Sequence, residues 1–299
     1  MKNLIVALIL VIQIFSSVNA SGVELSNDQL KLDSSLIWRV TLPTTRDTSY
    51  MLGTIHLPLK AAFECIDTAK YLLQQSKQAY FEIVIDQQAM GEQAFFFLAK
   101  DKSETISALL DSSEEKLLYQ KAEELMGPGA MVIGQLKPIG VYSVMTLSLL
   151  PADTTAAMDV LYQELAKEWG IPVTGLESIQ SQFDVLDTIQ KYGAKDLLLE
   201  LIAEENEIQR EANKLLQAYL NKDLNTIAEL MNSEFSAALD EKIRLYLITE
   251  RNQKMLTKMI QAARQNSCFF AVGAAHLVGE AGLIQGLRAA GFEVSPIKH

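Results

Sequence analysis

Apolar and polar positions alternate most clearly at the two ends of the chain, and they follow a helical period through its middle. Leu36-Ile-Trp-Arg-Val-Thr-Leu42 reads as a strand, and Pro43 to Thr48 is polar with a turn-forming proline. Ser49-Tyr-Met-Leu52 then reads as the returning strand of a hairpin. A helix is expected from about Ala61 to Gln78, and a strand from Tyr80 to Ile85, where β-branched and aromatic residues concentrate. Ser112 with Glu115 forms a capping-box signature ahead of Leu117, Leu118, Ala122 and Leu125, and Gly127-Pro128-Gly129 closes that helix. Ile139 to Leu150 suits a buried helix. A further helix spans Ala156 to Trp169 and stops at Gly170, and Ile171 to Gly175 is a short strand. Lys195 to Gln265 is helical, with a break near Asn221 to Asp223. A strand at Cys268 to Val272, a helix at Val278 to Ala290 with Gly291 as its cap, and a strand at Phe292 to Ile297 complete the order. The fold class is α/β or α+β: β-α units from both ends form a small sheet, with a large helical insert between them.

The first twenty residues have a different character. Lys2, the apolar run Leu4 to Phe15 and the small residues Val18-Asn19-Ala20 have the layout of a signal peptide cleaved after Ala20. The run is short for a membrane span, and no later segment is long enough for one. The expected organisation is therefore a signal peptide at 1–20 and a single domain at 21–299, secreted or periplasmic. In such a compartment Cys65 and Cys268 allow one disulfide; otherwise they are two buried thiols. The formal charge of −11 argues against a nucleic-acid partner, which needs clustered Lys and Arg.

Chemistry concentrates in an internal echo. Tyr50-Met-Leu-Gly-Thr-Ile-His-Leu57 and Phe270-Ala-Val-Gly-Ala-Ala-His-Leu277 share one form: apolar strand, Gly, two residues, His, Leu. Two of the three histidines, His56 and His276, occupy these corners; the third is His299. Glycine permits a sharp turn at each strand end, and active sites of open α/β sheets gather at carboxyl edges. Two such corners are expected to pack together. In a strand from Tyr80, Glu82 shares a face with Tyr80, Val84 and Asp86. A carboxylate within an apolar strand needs a cation or an ion pair, such as one with Arg251 or Arg39. Two His and one Glu are a ligand set of catalytic metal sites. Zincin, nucleophile-elbow, P-loop and Rossmann motifs are all missing. Glu64, Asp159, Glu177, Arg251 and Asn252 read first as helix caps or surface pairs, with Glu177 the best placed.

In order and spacing these segments resemble the TraB/GumN (PrgY/Tiki) family across nearly the whole mature chain. The resemblance is carried by Leu36-Ile-Trp-Arg-Val, Leu52-Gly-Thr-Ile-His-Leu57, Phe81-Glu-Ile and Lys137-Pro138. It continues through Asp159-Val-Leu-Tyr, Gly170-Ile-Pro-Val-Thr-Gly-Leu-Glu-Ser178, Glu250-Arg-Asn252 and Val272-Gly-Ala-Ala-His-Leu277 with the closing helix and strand. Val84 stands where the family's strand carries Asp, and Asp86 comes two residues later. The resemblance implies paired β-α units with helical insertions and a metal-dependent hydrolase site. Tiki members act as membrane-tethered peptidases that favour Mn or Co. Bacterial and plasmid members limit peptide pheromones or have no established activity, and the GumN name reflects association with exopolysaccharide genes.

The reading is thus a secreted, peptidase-like hydrolase. His56, His276 and Glu82 bind a divalent ion (Mn, Co or Zn), Glu82 acts as ligand or general base, and Arg251 or Asn252 orients a carboxylate or oxyanion. The substrate is a peptide or protein. The alternative is a non-catalytic regulatory protein that binds a peptide, a metal or haem and is linked to exopolysaccharide production.

Overall fold

The computed structural model describes residues 31–44, 47–64, 66–153, 156–231 and 249–298. The expected signal-peptide segment (residues 1–20), Cys65 and His299 lie outside the described residues. Among those described are six strands: β1 Ile37–Thr41, β2 Thr48–Thr54, β3 Gln78–Phe81, β4 Val173–Gly175, β5 Cys268–Gly273 and β6 Glu293–Pro296. They form one sheet in the order β4-β3-β5-β2-β1-β6. The expected hairpin is present, with Ile37 opposite Leu52 and Thr41 opposite Thr48. β2 then runs parallel to β5 with Gly53 opposite Val272, so the two echoing corners are neighbours. β5 runs parallel to β3 and β3 to β4, whereas β1 is antiparallel to both β2 and β6. The fold is therefore α/β with a mixed sheet drawn from both ends of the chain and, through β4, from its middle.

Every residue of β5 is buried, as expected of a central parallel strand covered on both faces. Phe270 stacks on Tyr80 of β3, and Phe269, on the opposite face, stacks on Tyr162. The helices are α1 Lys60–Glu64, α2 Thr68–Gln74, α3 Gln87–Phe97, α4 Ser112–Met126, α5 Pro138–Ser148, α6 Met158–Glu168, α7 Ile179–Tyr192, α8 Ala194–Ala203, α9 Glu205–Leu220, α10 Leu224–Met231, α11 Arg251–Ala263 and α12 Leu283–Ala289. α5 is the buried helix expected near Ile139. Lys222, at φ 60°, marks the break expected near Asn221.

Several boundaries differ from the sequence pattern. The helix expected from Ala61 to Gln78 is divided into α1 and α2: the Tyr162 hydroxyl donates to the Ile66 carbonyl between them, and Gln78 joins β3. The strand expected from Tyr80 to Ile85 ends at Phe81. There the buried Gln163 amide donates to Ile83 O and accepts from Ile85 N, supplying the partners a strand ladder would have given. Asp86, rather than facing the site, caps α3 by accepting from Ala89 N. The capping box of α4 begins one residue earlier than expected, with Asp111 accepting from Ser113 and Glu114 N–H and Glu114 reaching back to Asp111 N–H. α12 starts at Leu283, not Val278, because a turn with Gly279 at φ +78° and a Gly282–Gly279 hydrogen bond precedes it. Cys268 is buried and forms no disulfide among the described residues.

Candidate metal centre

Four parallel strands deliver their exits to one edge. Thr54 ends β2 and His56 follows two residues on; Phe81 ends β3 and Glu82 follows at once. Gly175 ends β4 two residues before Glu177, and Gly273 ends β5 ahead of the 3₁₀ turn Ala274–His276. Glu82 is therefore not a mid-strand carboxylate but the first residue beyond a strand, turned into the site. β4 follows it out, since Glu177 N–H donates to Glu82 O at 2.7 Å.

The glycines of the two corners do not work through unusual backbone angles. Gly273 has φ −52°, open to any residue, and Gly53 is absent from the positive-φ residues. Gly53 is required by space instead: a Cβ there would lie 2.8 Å from Leu277 Cδ1 and 3.2 Å from Ala274 Cα. Close packing of one corner against the other excludes a side chain. The Tyr219 hydroxyl of α9 holds the same corner from behind by donating to Gly53 O at 2.9 Å.

His56 and His276 are each 1% exposed. Their Nε2 atoms both face Glu82 Oε1, each at 3.7 Å. His56 Nδ1 lies 2.5 Å from Asp159 Oδ2, in the first turn of α6. The angles there are not those of a linear hydrogen bond, but at that separation in a buried site the electrostatic attraction dominates. Asp159 Oδ1 accepts from the Thr54 hydroxyl at 2.8 Å. His276 Nδ1 is 2.6 Å from Asn252 Oδ1. Glu82 Oε1 also accepts from Gly273 N–H at 2.6 Å, and its Oε2 accepts from Arg251 Nη2 at 2.8 Å. Arg251 opens α11 and directs both Nε and Nη2 at Glu177 Oε2, at 2.8 and 2.6 Å.

The charges are strongly perturbed. Burial pulls the His56 pKa down, but the charge and contact of Asp159, with Glu82, outweigh it and hold it at about 9. Burial lowers His276 to about 3, with the Arg251 and His56 charges adding to it against the attraction of Glu82. Burial works to raise the Glu82 carboxyl; the charges of His276, Arg251 and His56 prevail and hold it well below the usual carboxylate range.

Whether a divalent cation fits can be judged from the donors. Among the described residues no group of three or more His, Cys, Asp or Glu side chains is spaced, as it stands, to hold a metal ion. Two imidazole nitrogens and one carboxylate oxygen nevertheless converge, and His56 Nε2 is buried with no hydrogen-bond partner among those residues. Each ring is also backed at Nδ1 by an acceptor, the outer-shell support that metal-binding histidines usually have. At formal charge, the described Glu82, Glu177, Asp159 and Arg251 leave this buried cluster two negative charges in excess. A divalent ion between neutral imidazoles balances them, and in its absence a proton on His56 balances one. In residue type and charge, though not in present spacing, the donor set suits such an ion.

A model of the TraB/PrgY/gumN family matches residues 36–296, nearly the whole described chain. The chain belongs to the TraB/PrgY/gumN family. Its relatives include a zebrafish (Danio rerio) protein named metalloprotease TIKI2, 24% identical in an alignment covering 87% of this chain. The chain spans 60% of that relative's length. Within this TraB/PrgY/gumN chain the structure brings together His56, His276, Glu82, Arg251 and Asn252 from the sequence reading. Arg251 bonds Glu82 and Glu177, and Asn252 bonds His276 and the Ala281 carbonyl. Arg39 is exposed on β1 and has no part in the site. Glu64 makes the surface pair expected of it, with Lys60 at 3.3 Å. Asp159 and Glu177, read from sequence as caps or surface pairs, are buried members of the cluster. The signal for both was available in their position, one opening a helix and the other following a strand, but nothing in the sequence reports burial. Among the described residues no helix is long and apolar enough to cross a membrane.

Proposed function

We propose that this chain is an exported, metal-dependent, peptidase-like hydrolase, with residues 1–20 as its signal peptide and 21–299 as one domain. His56, His276 and Glu82 hold the divalent cation, of the Mn, Co or Zn type. The observation that carries the reading is the convergence of two buried Nε2 atoms on one Glu82 oxygen. The name of the zebrafish relative supports a metal-dependent protease role within the family.

A bound divalent cation in such a site supplies Lewis acidity toward a peptide carbonyl and acidifies a water. The chain's own groups do the rest. Arg251 fixes Glu82 Oε2, so that Oε1 stays turned toward the two imidazoles. Because its neighbours keep Glu82 ionised far below neutral pH, it suits a ligand role better than that of a general base, which works best with a pKa near the operating pH. Burial removes competing water and strengthens each electrostatic contact.

The test is bound metal. The chain from Ser21, made without a histidine tag, is expected to retain about one Mn, Co or Zn ion after dialysis, by elemental analysis. The double substitution His56→Ala/His276→Ala is expected to lose it while keeping its circular dichroism. No ion in the wild type overturns the reading. Metal binding with no cleavage of a peptide library moves the chain to the rival class of non-catalytic, peptide- or metal-binding regulators. A Soret band in the purified protein identifies the haem-binding form of that rival.

A further inference from the structure

The two corners repeat one motif, yet their imidazoles are held by different chemistry. At His276 the Asn252 amide cannot turn over. Its Nδ2 donates to Ala281 O at 2.7 Å and to His276 O at 3.2 Å, and both carbonyls can only accept. Oδ1 is therefore the atom 2.6 Å from His276 Nδ1. An amide oxygen only accepts, so Nδ1 carries the hydrogen and Nε2 presents a lone pair toward Glu82. At His56 the partner is a carboxylate, whose second oxygen is occupied by the Thr54 hydroxyl. A bare lone pair on Nδ1 would be repelled by a carboxylate oxygen 2.5 Å away, so His56 Nδ1 carries a hydrogen as well, and a lone pair again falls on Nε2 when the ring is neutral.

We infer that Asp159 and Asn252 are paired but unequal positioning residues: both direct the histidine lone pairs to Nε2, and the negative charge of Asp159 makes His56 the stronger donor to a cation. A carboxylate charge beside Nδ1–H raises the basicity of the far nitrogen more than a neutral amide does. His56 is then the anchoring ligand, and His276 the weaker one. The ranking of donor strength rests on the metal reading above; the tautomer of His276 does not.

The experiment has two arms. The first is a histidine side-chain ¹⁵N spectrum of the metal-free mature protein, which is simple because the chain has three histidines. His276 is expected to show a protonated Nδ1 and an unprotonated Nε2, and a proton on Nε2 overturns the inference. The second is calorimetric titration with Zn or Co. Asp159→Asn is expected to weaken binding toward the upper end of the ~10–100-fold range for outer-shell losses, and Asn252→Ala toward the lower end. Equal losses, or the reverse order, overturn the ranking. If Asp159→Asn does not fold, Thr54→Val removes only the hydroxyl that holds Asp159 and is expected to lower affinity in the same direction by a smaller factor; unchanged affinity counts against the inference. A wild type that binds no metal defeats the functional reading and the ranking, while the spectrum still decides the tautomer. A wild type that binds metal as tightly as all three variants defeats the inference and leaves the functional reading standing.

Discussion

The block β4-β3-β5-β2 and the margin β1-β6 belong to the same sheet and share its core, yet among the described residues the buried ionisable cluster lies at the block alone. All four strands of the block point the same way, so their carboxyl ends open on one edge and present Glu177, Glu82, His276 and His56 side by side. β1 runs the opposite way. β6 runs with the block but is separated from it by β1. The margin's outward residues, such as Arg39 and Ser295, are exposed. Adjacency together with direction decides where chemistry collects, because only aligned neighbours bring their exits within contact distance.

The largest effect expected from breaking this contrast is at Arg251. Arg251→Met leaves Glu82 and Glu177 as buried carboxylates without their shared cation, at a cost of roughly 3–5 kcal/mol in urea unfolding. Arg39→Met on β1 is expected to stay within about 0.5 kcal/mol. Similar costs at the two positions would contradict the contrast.

Next is the pH dependence of the metal-free protein, in which the block's histidines are strongly shifted, as is Glu200 outside it, raised by burial to about 7. His56 is raised to about 9 in the folded state. Its stabilisation is complete below the unfolded value near 6.5 and is lost as pH rises through 9, on the order of 3 kcal/mol. His276, lowered to about 3, and Glu82, also lowered, act on the other side. Their stabilisation is present above the unfolded values and drains away as pH falls. In a Glu200→Gln background, which removes the other raised group of that range, thermal unfolding without metal should therefore be most resistant near pH 6.5. A stability plateau from pH 7 to 9.5 would show that the Asp159 contact does not hold the proton.

Smaller again is Gly53→Ala. The added methyl meets the Leu277 side chain, which can shift, and the Ala274 backbone, which cannot. The expected cost is about 1–3 kcal/mol, read as a lower urea midpoint. The smallest effect is at Glu64→Gln, on an exposed i,i+4 pair, within about 0.5 kcal/mol.

Much of the block was legible in the sequence. The repeated Gly-x-x-His form located both histidines and predicted that the corners pack together, since a repeated strand-to-helix corner implies neighbouring strands. Glu82 stood out because an ionisable residue among Phe81, Ile83 and Ile85 needs a partner. What was not legible depends on long-range contacts. Gln163, eighty residues from Ile83, ends β3 early and so changes how Glu82 enters the site. Asp159 and Glu177 look like any acidic residue beside a helix start until the fold buries them. The role of glycine was also hidden: sequence suggests a turn, whereas Gly53 answers to the volume of Leu277 across more than two hundred residues.

That last separation has a consequence for how the protein is made. β2 finds its parallel neighbour only in β5, and β1 finds its outer neighbour only in β6. A ribosome that has released the first hairpin must still synthesise most of the polypeptide before either partner exists. Until then the hairpin has an unsatisfied hydrogen-bonding edge on each side, and the cluster around Glu82 lacks Arg251, Asn252 and His276. Assembly of the centre is therefore a late, post-translational event with high contact order, and folding is expected to be slow relative to local helix formation. A nascent chain arrested before Cys268 should remain open to protease across β1 and β2 and lack the assembled cluster around Glu82.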